Sequence, residues 1–258
     1  MRRICLIAVL ALLCQFSFSQ SKSAIKDKYG AIIRGDTTRK EIAIVFTGDE
    51  FADGEKLIRS TLAKHNVKGS FFLTGNFYGN SSFKKIIIDL RKEGHYLGPH
   101  SDKHLLYADW KKRDSLLVTN SQFVNDIESN FARMSELGIA KSEASFFIPP
   151  FEWYNAEIVK WSQQIDLTLI NFTPGTRSTA DYTYPQMRKS YLSSDEIYHS
   201  IIDYEVKSKN GLNGFILLIH IGTDPRRQDK FYSRMDSLMT DLEKKGYRFV
   251  RIDELLGR

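Results

Sequence analysis

The sequence predicts an α/β fold, in the form of a distorted (β/α) barrel of about seven parallel strands. From Glu41 onward, short apolar runs alternate with longer stretches that have the period of a helix. The apolar runs are nearly continuous, as expected for parallel strands that are covered on both faces. About 240 residues follow the first nineteen, which suits one domain of barrel size.

The alternation predicts seven strands and six helices. The predicted strands are Ile42–Phe46, Ser70–Leu73, His95–Gly98, Ala144–Ile148, Leu167–Asn171, Phe215–Ile219 and Arg248–Ile252. The predicted helices are Glu55–His65, Phe83–Glu93, Asp114–Leu137, Ala156–Gln164, Ser194–Ser208 and Asp229–Lys245. Acidic residues in the first turn of the helix from Ser194, and lysines in the last turn of the helix to Lys245, suit the helix dipole.

Residues 1–19 have the layout of a cleavable export signal. A basic start, Met1–Arg3, precedes an apolar core of about eleven residues, Ile4–Cys14, and small residues then flank a cut before Gln20. The apolar core is too short to span a bilayer. The protein is therefore expected to be secreted or periplasmic, with no stable membrane insertion after cleavage.

Residues 20–40 are polar and predict a loosely attached lead-in segment, which leaves 41–258 as the functional domain. Both cysteines, Cys5 and Cys14, fall inside the predicted signal. The mature chain then has no disulfide and no thiolate ligand or nucleophile, so any metal must be held by His, Asp or Glu.

The charge pattern argues against a nucleic-acid partner. The formal net charge of +6 falls to about +4 without Arg2 and Arg3, and the excess is spread over lysine-rich helix faces. Solvated faces explain this better than a binding patch, because basic and aromatic residues do not alternate along a stripe. No glycine-rich phosphate loop follows a predicted strand, which weakens a nucleotide-binding interpretation.

Two adjacent carboxylates, Asp49 and Glu50, follow the first predicted strand. Catalytic groups of β/α barrels gather at the carboxyl ends of strands. One carboxylate of such a pair can bind a cation while the other takes a proton from water. The structural alternative is a turn acid followed by an acid that caps a helix.

Two histidines, His100 and His104, follow the third predicted strand. Residues at i and i+4 face the same way on a helical turn, so both imidazoles could reach one metal ion. A surface histidine pair is the alternative. The carboxylates at the end of another strand favour the metal interpretation.

The segment after the fourth predicted strand combines prolines with aromatic residues. Pro150, Phe151 and Trp153 could form a sugar-binding groove, with the rings stacking on C–H faces, although core packing would also explain the aromatics. Glu152 lies among them with an open role.

Two further polar residues follow predicted strands. Arg177 could orient a carboxylate or an oxyanion, although an exposed arginine is the commoner outcome. His220 ends a buried apolar run, where a general acid near neutral pH or a satisfied core histidine would fit.

These motifs together resemble the polysaccharide deacetylase family (the NodB-homology domain, carbohydrate esterase family four), over nearly all of residues 41–258. Members carry in order T-F-D-D, H-[ST]-x-x-H, R-x-P-[FY], a loop with Asp and Trp, and a leucine-rich strand that ends in His. HSDKH at 100–104 matches the second motif in full, and LLIHIGT at 217–223 matches the last. TGDE at 47–50 matches the first, with Gly for Phe and Glu for the second Asp.

Two departures from the family pattern stand out. Ile148 takes the place of the third motif's arginine, which in the family orients the base carboxylate, and Arg177 or a neighbour is a candidate to substitute for it. The loop with Asp and Trp is not recognisable in residues 171–184. The chain therefore resembles a divergent branch of the family.

The resemblance implies removal of acetyl groups from an acetylated glycan with one divalent cation, zinc or else cobalt or nickel. Glu50, His100 and His104 would hold the ion. Asp49 would be the base and His220 the acid, with a backbone N–H near Phe151 at the oxyanion. Asp49 and Glu50 can exchange roles.

Two other functions stay open at this point. A carbohydrate-binding protein without activity on a deacetylase scaffold is motivated by the missing arginine. A different metal hydrolase, such as a phosphoesterase, would want a second metal and more basic groups at the strand ends.

Overall fold

The structure of the protein, a computed structural model, describes residues 24–257. The predicted export signal, including both cysteines, lies outside the described residues. No helix within residues 24–257 combines the length and the apolar character needed to cross a bilayer.

The strands of the described residues are β1 Ile25–Lys26, β2 Ile32–Arg34, β3 Glu41–Gly48, β4 Ser70–Leu73, β5 Tyr96–Pro99, β6 Phe146–Phe147, β7 Thr168–Leu169, β8 Phe215–His220 and β9 Arg248–Phe249. Seven of them form one sheet in the order β1-β2-β8-β3-β4-β5, with β9 beside the first residues of β3. The other two, β6 and β7, pair with each other in parallel. All seven predicted strands are thus present.

The register of the central strands brings their carboxyl ends to one edge of the sheet. β3 runs parallel to β8 and to β4, and β4 runs parallel to β5. Thr47 of β3 lies opposite His220 of β8, and Gly48 lies opposite Leu73 of β4. The loops that follow these strands therefore start side by side.

The short pair β6–β7 lies between β5 and β2 of the larger sheet, which is curled into a distorted barrel. On the β5 side, the backbone N–H of Phe146 donates to the hydroxyl of Tyr96 at 2.9 Å. On the β2 side, the backbone N–H of Asn171 donates to the carbonyl of Ile32 at 2.8 Å. The predicted fold class is confirmed. The structure adds two antiparallel strands that were not predicted, β1 and β2.

Alternate residues of β3 face two different layers of the core. Ile42, Ile44 and Phe46 pack in the larger cluster, together with residues of the surrounding helices. Ala43 and Val45 pack in a second cluster that also contains residues of β6 and β8, and so lies inside the curled sheet. Because both faces are covered, the strand is apolar at almost every position.

The six predicted helices are present, and two short ones, α2 and α8, were not predicted. The helices are α1 Glu55–Lys64, α2 Gly75–Tyr78, α3 Lys84–Lys92, α4 Asn120–Glu136, α5 Ala156–Gln164, α6 Ser194–Lys207, α7 Met235–Lys244 and α8 Ile252–Leu256. α4 begins later than predicted because Thr119 caps it in a reciprocal capping box with Gln122.

The prediction of a loosely attached lead-in is wrong for its described part, residues 24–40. This part contains β1 and β2, and β2 pairs with β8. Arg34 is buried, and its guanidinium donates to the carbonyls of Asn213 and Gly211, both at 2.8 Å. The apolar run at residues 31–33 and these hydrogen bonds attach the segment to the sheet edge.

Candidate active site

A cavity of about 500 Å³ opens where the carboxyl ends of β3, β5 and β8 meet. Six of the nine predicted site residues line it: Asp49, Glu50, His100, His104, Phe151 and His220. The carboxyl ends of the strands therefore bring together residues that are up to 171 positions apart in the sequence.

His100 is held as a neutral imidazole with one nitrogen available. The side chain is 2% exposed. Its Nδ1 lies 2.7 Å from the backbone carbonyl of Ile148, an acceptor only, so Nδ1 carries the hydrogen and Nε2 keeps its lone pair. Burial lowers the pKa of His100 well below its usual value, and the neighbouring His104 lowers it further.

The two histidines meet through an irregular loop, and the prediction of a helical turn is wrong. Residues 100–104 have no helical hydrogen bonds, and both Ser101 (φ 78°) and His104 (φ 54°) have left-handed backbone. Asn130 of α4 fixes this loop by donating to the carbonyl of Ser101 at 3.0 Å. The imidazole ring centroids lie 5.2 Å apart as a result.

His104 contacts the ring of Phe151 and interacts electrostatically with the carboxylate of Asp49. Its ring centroid is 4.4 Å from that of Phe151. Burial lowers the pKa of His104, and the negative charge of Asp49 opposes this shift in part. We call Asp49, His100 and His104 the paired-histidine group.

Two neutral donors orient Asp49. Its Oδ1 accepts hydrogen bonds from the hydroxyl of Thr74 at 2.7 Å and from the side-chain amide of Asn76 at 3.2 Å. The Lys103 ammonium donates in turn to the Asn76 amide oxygen at 3.1 Å. Glu50, one residue further on, is exposed at the mouth of the cavity.

The departure at Gly48 has a steric cause. A Cβ atom at this position would lie 2.5 Å from Cγ2 of Ile221 and 2.9 Å from Cδ2 of Leu73. No side chain larger than hydrogen fits between these two neighbours. The strand therefore ends on glycine directly before the carboxylate pair.

The donors of the paired-histidine group suit a divalent cation. Within residues 24–257, no three His, Cys, Asp or Glu side chains are already close enough together to hold a metal ion. Imidazole and carboxylate are nevertheless the ligand types of zinc. A metal-binding histidine typically donates its other ring N–H to a carbonyl, as His100 does to Ile148.

His220 forms a charged pair with Asp181. Nδ1 of His220 lies 2.6 Å from Oδ1 of Asp181, and the backbone N–H of His220 donates to Oδ2 at 2.7 Å. Burial alone would lower the pKa of His220, but the charge and hydrogen bond of Asp181 outweigh burial and raise it. We call these two residues the His220–Asp181 pair.

Asp181 is a site residue that the sequence analysis missed. It lies in a short 3₁₀ helix, Ser178–Tyr182, and its side chain is 2% exposed. The family's loop with Asp and Trp is not recognisable in residues 171–184 from the sequence, and the structure brings one aspartate of this segment, Asp181, into contact with His220. Asp181 is a single acidic residue in a turn-rich stretch, so no regular spacing in the sequence indicated that it would contact His220.

Glu152 brings a second carboxyl group to the His220 side of the cavity. Burial raises its pKa to about 7, with the positive charge of His220 acting in the opposite direction and Asp181 adding to the rise. Its backbone is left-handed (φ 53°), as is that of Phe151 (φ 59°).

Three predicted substrate-binding residues lie outside the cavity wall. Pro150 is buried, and the ring of Trp153 is covered by the guanidinium of Arg113 at 3.8 Å. Arg177 is exposed, and its backbone N–H donates to Ser200 on α6. Arg177 or a neighbour was a candidate to replace the missing arginine, but the hydrogen bonds to Asp49 come from Thr74 and Asn76, so Arg177 does not take this place.

Trp110 lines the cavity in a place where the sequence analysis expected Trp153. Its side chain is 54% exposed, and its ring centroid lies 5.6 Å from that of Phe151 and 5.2 Å from that of Trp153. Trp153 therefore packs against the ring of Trp110. The indole N–H of Trp153 donates to the carbonyl of Asp109 at 3.3 Å.

The histidines and carboxylates lie at the carboxyl ends of the strands, where the catalytic groups of β/α barrels gather. The family model described as polysaccharide deacetylase matches residues 34–170, more than half of the chain. The chain belongs to the polysaccharide deacetylase family.

Individual relatives are distant but extend over most of the chain. The peptidoglycan-N-acetylmuramic acid deacetylase PdaA of Bacillus subtilis is 23% identical over 235 residues, covering 91% of this chain and 78% of the relative. A pseudoenzyme of the CE4 family from Bacillus anthracis has a TM-score of 0.68 at 17% identity, over 89% of this chain and 70% of that one. A family 4 acetyl xylan esterase from Clostridium thermocellum, in complex with a cobalt ion, has a TM-score of 0.64 at 20% identity, over 84% of this chain and 90% of the esterase chain. Both solved structures have the same fold as this chain.

Proposed function

We propose that this protein is an active, metal-dependent hydrolase that removes acetyl groups from an acetylated glycan. One observation carries the proposal: a single cavity contains neutral imidazoles beside a carboxylate, together with a separate imidazole held by an aspartate. The first set can bind a cation and accept a proton, and the second can donate one.

His100, His104 and a carboxylate from Asp49 or Glu50 would hold one divalent cation, zinc or else cobalt or nickel. A cation of this kind lowers the pKa of a bound water and polarises the acetyl carbonyl. The neutral state of both histidines supports this role, because a protonated imidazole has no lone pair to give. The related acetyl xylan esterase is described with a cobalt ion.

Asp49 takes the proton of the attacking water as the water oxygen bonds to the acetyl carbon. Thr74 and Asn76 both bind Oδ1, which fixes the carboxylate and leaves Oδ2 for the proton. If Asp49 is a ligand of the cation, Glu50 at the cavity mouth takes over as base.

His220 donates a proton to the leaving nitrogen or oxygen as its bond to the acetyl carbon breaks. The products are acetate and a free amine or hydroxyl on the sugar. Because Nδ1 is engaged by Asp181, the proton leaves from Nε2. Asp181 favours the imidazolium form that performs this step. A backbone N–H near Phe151 would stabilise the oxyanion.

The exposed rings of Trp110 and Phe151 would bind the sugar, since aromatic faces pack against the C–H groups of a pyranose. Relatives are named as peptidoglycan deacetylases, so we propose acetylated amino sugars of the cell wall as the first substrates to test. The export signal expected at residues 1–19 would deliver the protein to such a substrate.

A carbohydrate-binding protein without activity is the competing function. It is favoured by Ile148 in place of the family arginine and by the structural likeness to a pseudoenzyme. The hydrogen bonds from Thr74 and Asn76 argue for activity, since they orient Asp49 by other means.

Acetate release decides between the two functions. Protein comprising residues 20–258 is incubated with zinc, cobalt or nickel and a panel of acetylated glycans, and acetate is measured together with glycan binding. We expect release that is abolished by His104→Ala and by Asp49→Asn. His199→Ala is the matched control, because His199 is exposed on α6 and outside the cavity wall.

Glycan binding without acetate release from any substrate would identify the non-catalytic function instead. Activity that survives both His104→Ala and Asp49→Asn would contradict the roles assigned to the paired-histidine group.

A further inference from the structure

The cavity has a second wall to which the reaction above gives no role. This wall is lined by Tyr182, Tyr184 and Met187. Tyr182 is 48% exposed, and its ring centroid lies 5.4 Å from that of His220. The wall therefore starts beside the proposed acid of the reaction.

Tyr184 and Met187 belong to a loop of eight residues, 184–191. The backbone N–H of Met187 donates to the carbonyl of Tyr184 at 2.8 Å, and the N–H of Tyr191 donates to the carbonyl of Arg188 at 3.0 Å. These hydrogen bonds are local and give the loop its internal shape. The position of the loop on the barrel is left to its two ends and to the side chains that pack on it.

One buried guanidinium holds both ends of the 184–191 loop. Arg227 is 0% exposed, and its Nη1 donates to the carbonyl of Thr183 at 2.6 Å and to that of Leu192 at 3.0 Å. Its Nη2 donates to the hydroxyl of Ser194 at 3.3 Å, and the guanidinium carbon lies 5.3 Å from the ring centroid of Tyr191. A single nitrogen atom thus closes the loop by joining the residue before it to the residue after it.

The burial of Arg227 opposes folding, because a charged group leaves water at a large cost unless it is paired and hydrogen-bonded. The carboxylate of Asp229 is 3.9 Å from Nη2, and Nε has no hydrogen-bond partner within residues 24–257. An apolar side chain would serve core packing alone as well or better. The loop that the guanidinium closes explains why an arginine is present.

The residue before Arg227 holds Tyr184 at the cavity wall. The guanidinium carbon of Arg226 lies 4.0 Å from the ring centroid of Tyr184, in a cation–π contact. Nε of Arg226 donates to Oδ1 of Asp224 at 2.9 Å, and Asp224 also lines the cavity. The two consecutive arginines therefore fix the wall together, one at the ends of the loop and one at its ring.

The sugar that carries the acetyl group must reach His220, since this histidine protonates the atom that joins the sugar to the acetyl group. Tyr182 contacts His220, and the 184–191 loop continues the wall from there. Aromatic rings pack against the C–H faces of sugars. A glycan chain with its acetylated sugar at His220 therefore meets the loop with a neighbouring sugar.

We propose that the 184–191 loop recognises the glycan chain, and that Arg227 is the positioning residue of this loop. Tyr184 and Met187 contact the sugar next to the acetylated one. The enzyme then prefers glycan chains to single acetylated sugars. The proposal rests on the deacetylase reaction described above and adds the length of the substrate to it.

The dependence of activity on chain length tests the role of the loop. kcat and KM for acetate release are measured with N-acetylglucosamine and with short oligomers of it. For the unchanged protein we expect kcat/KM to be higher for the oligomers by about 10-fold or more, because only the oligomers reach the loop. Tyr184→Ala should raise KM for the oligomers by about 5- to 10-fold with kcat unchanged, since this contact is the same before and during the reaction.

Tyr184→Phe keeps the ring and should keep the low KM. Gln186→Ala is the matched control, because Gln186 is exposed on the same loop and outside the cavity wall. Equal kcat/KM values for the single sugar and the oligomers in the unchanged protein would overturn the proposal. So would a loss in Tyr184→Ala that is the same for both kinds of substrate.

Arg227→Met tests the positioning role, because methionine is long and apolar but donates no hydrogen bond. We expect the rise in KM for the oligomers that Tyr184→Ala shows, with kcat/KM for the single sugar within about twofold of the unchanged protein. The melting temperature is measured alongside. Arg226→Ala uncovers Tyr184 without changing the buried cluster and should raise the same KM to a smaller extent. An unchanged KM in folded Arg227→Met protein would overturn the role of Arg227.

Calorimetric titration with the same sugars tests recognition without any need for acetate release. Weaker binding of the oligomers to Tyr184→Ala, in a protein that releases no acetate, would show that the proposed function fails while the role of the loop holds. Acetate release with no preference for the oligomers in either binding or kcat/KM would show the reverse. Oligomers that do not bind to the unchanged protein would also overturn the proposal.

Discussion

The paired-histidine group and the His220–Asp181 pair place the same side chain in opposite charge states within one cavity. His100 donates to a neutral carbonyl, that of Ile148, and burial keeps it unprotonated. His220 is bonded to a carboxylate, that of Asp181, which raises its pKa in spite of burial. The charge on the hydrogen-bond partner therefore decides which histidine can bind a cation and which can donate a proton.

The same comparison explains why the missing arginine does not leave Asp49 without support. In the paired-histidine group the carboxylate, that of Asp49, is oriented by neutral donors, Thr74 and Asn76. In the other pair the orienting group is itself charged and buried. Loss of a partner should therefore be more damaging at His220 than at Asp49.

The largest effect is expected from Asp181→Asn. Asparagine cannot stabilise the imidazolium, so kcat/KM for acetate release should fall by about 100-fold or more. The loss should be steepest at high pH, because the pKa of His220 falls when the carboxylate is removed. Asp203→Asn, on the exposed face of α6, is the control. Activity within about twofold of the unchanged protein would remove Asp181 from the mechanism.

A smaller effect is expected from Thr74→Val. This change removes the shorter hydrogen bond to Asp49 and should lower kcat by about 10-fold with KM unchanged. Thr74 also caps α2 by accepting from the backbone N–H of Phe77, so the melting temperature must be measured as well. Thr74→Ser keeps both hydrogen bonds and should keep the activity. An equal loss of kcat in Thr74→Ser would show that the hydroxyl is not what matters.

The smallest effect is expected for the free energy of unfolding of Glu152→Gln, and it tests the charge on the His220 side of the cavity. The pKa of Glu152 rises from 4.5 to about 7 in the folded protein, so stability is lost progressively as the pH rises from about 4.5, and the loss is complete above about 7. The side chain is partly exposed, which reduces the effect of this shift. Glu152→Gln should therefore raise the free energy of unfolding near pH 8 by about 1 kcal/mol, or the Tm by about 2–4 °C.

Near pH 4 both the folded and the unfolded state carry a protonated Glu152, so the variant and the unchanged protein should melt alike. Thermal unfolding at the two pH values measures this, with Glu157→Gln, at an exposed position of α5, as the control. A stabilisation that is the same at both pH values would have to come from packing and not from ionisation.

The residues that follow strands could be found from the sequence, because parallel strands bring their carboxyl ends to one edge. This applies to Asp49, His100 and His220, each placed at the end of β3, β5 or β8. Their partners could not be found in this way. Thr74 and Asn76 reach Asp49 from the N-cap and the first turn of α2, a helix of four residues that no periodicity indicated.

Asp181 and Trp110 were missed for a related reason. Each lies in a segment without regular periodicity, and its neighbour in space is 39 residues away in one case and 41 in the other, at His220 and Phe151. The mistaken helical turn at His100 shows the same limit. Its spacing was informative, but two left-handed residues produced the contact.

By itself, the sequence determined the barrel, through apolar runs that must be covered on both faces, and the set of groups at the strand ends. Only the tertiary structure decided which histidine is neutral and which is charged. Protonation depends on burial and on the nearest charge, and both arise when distant segments pack together.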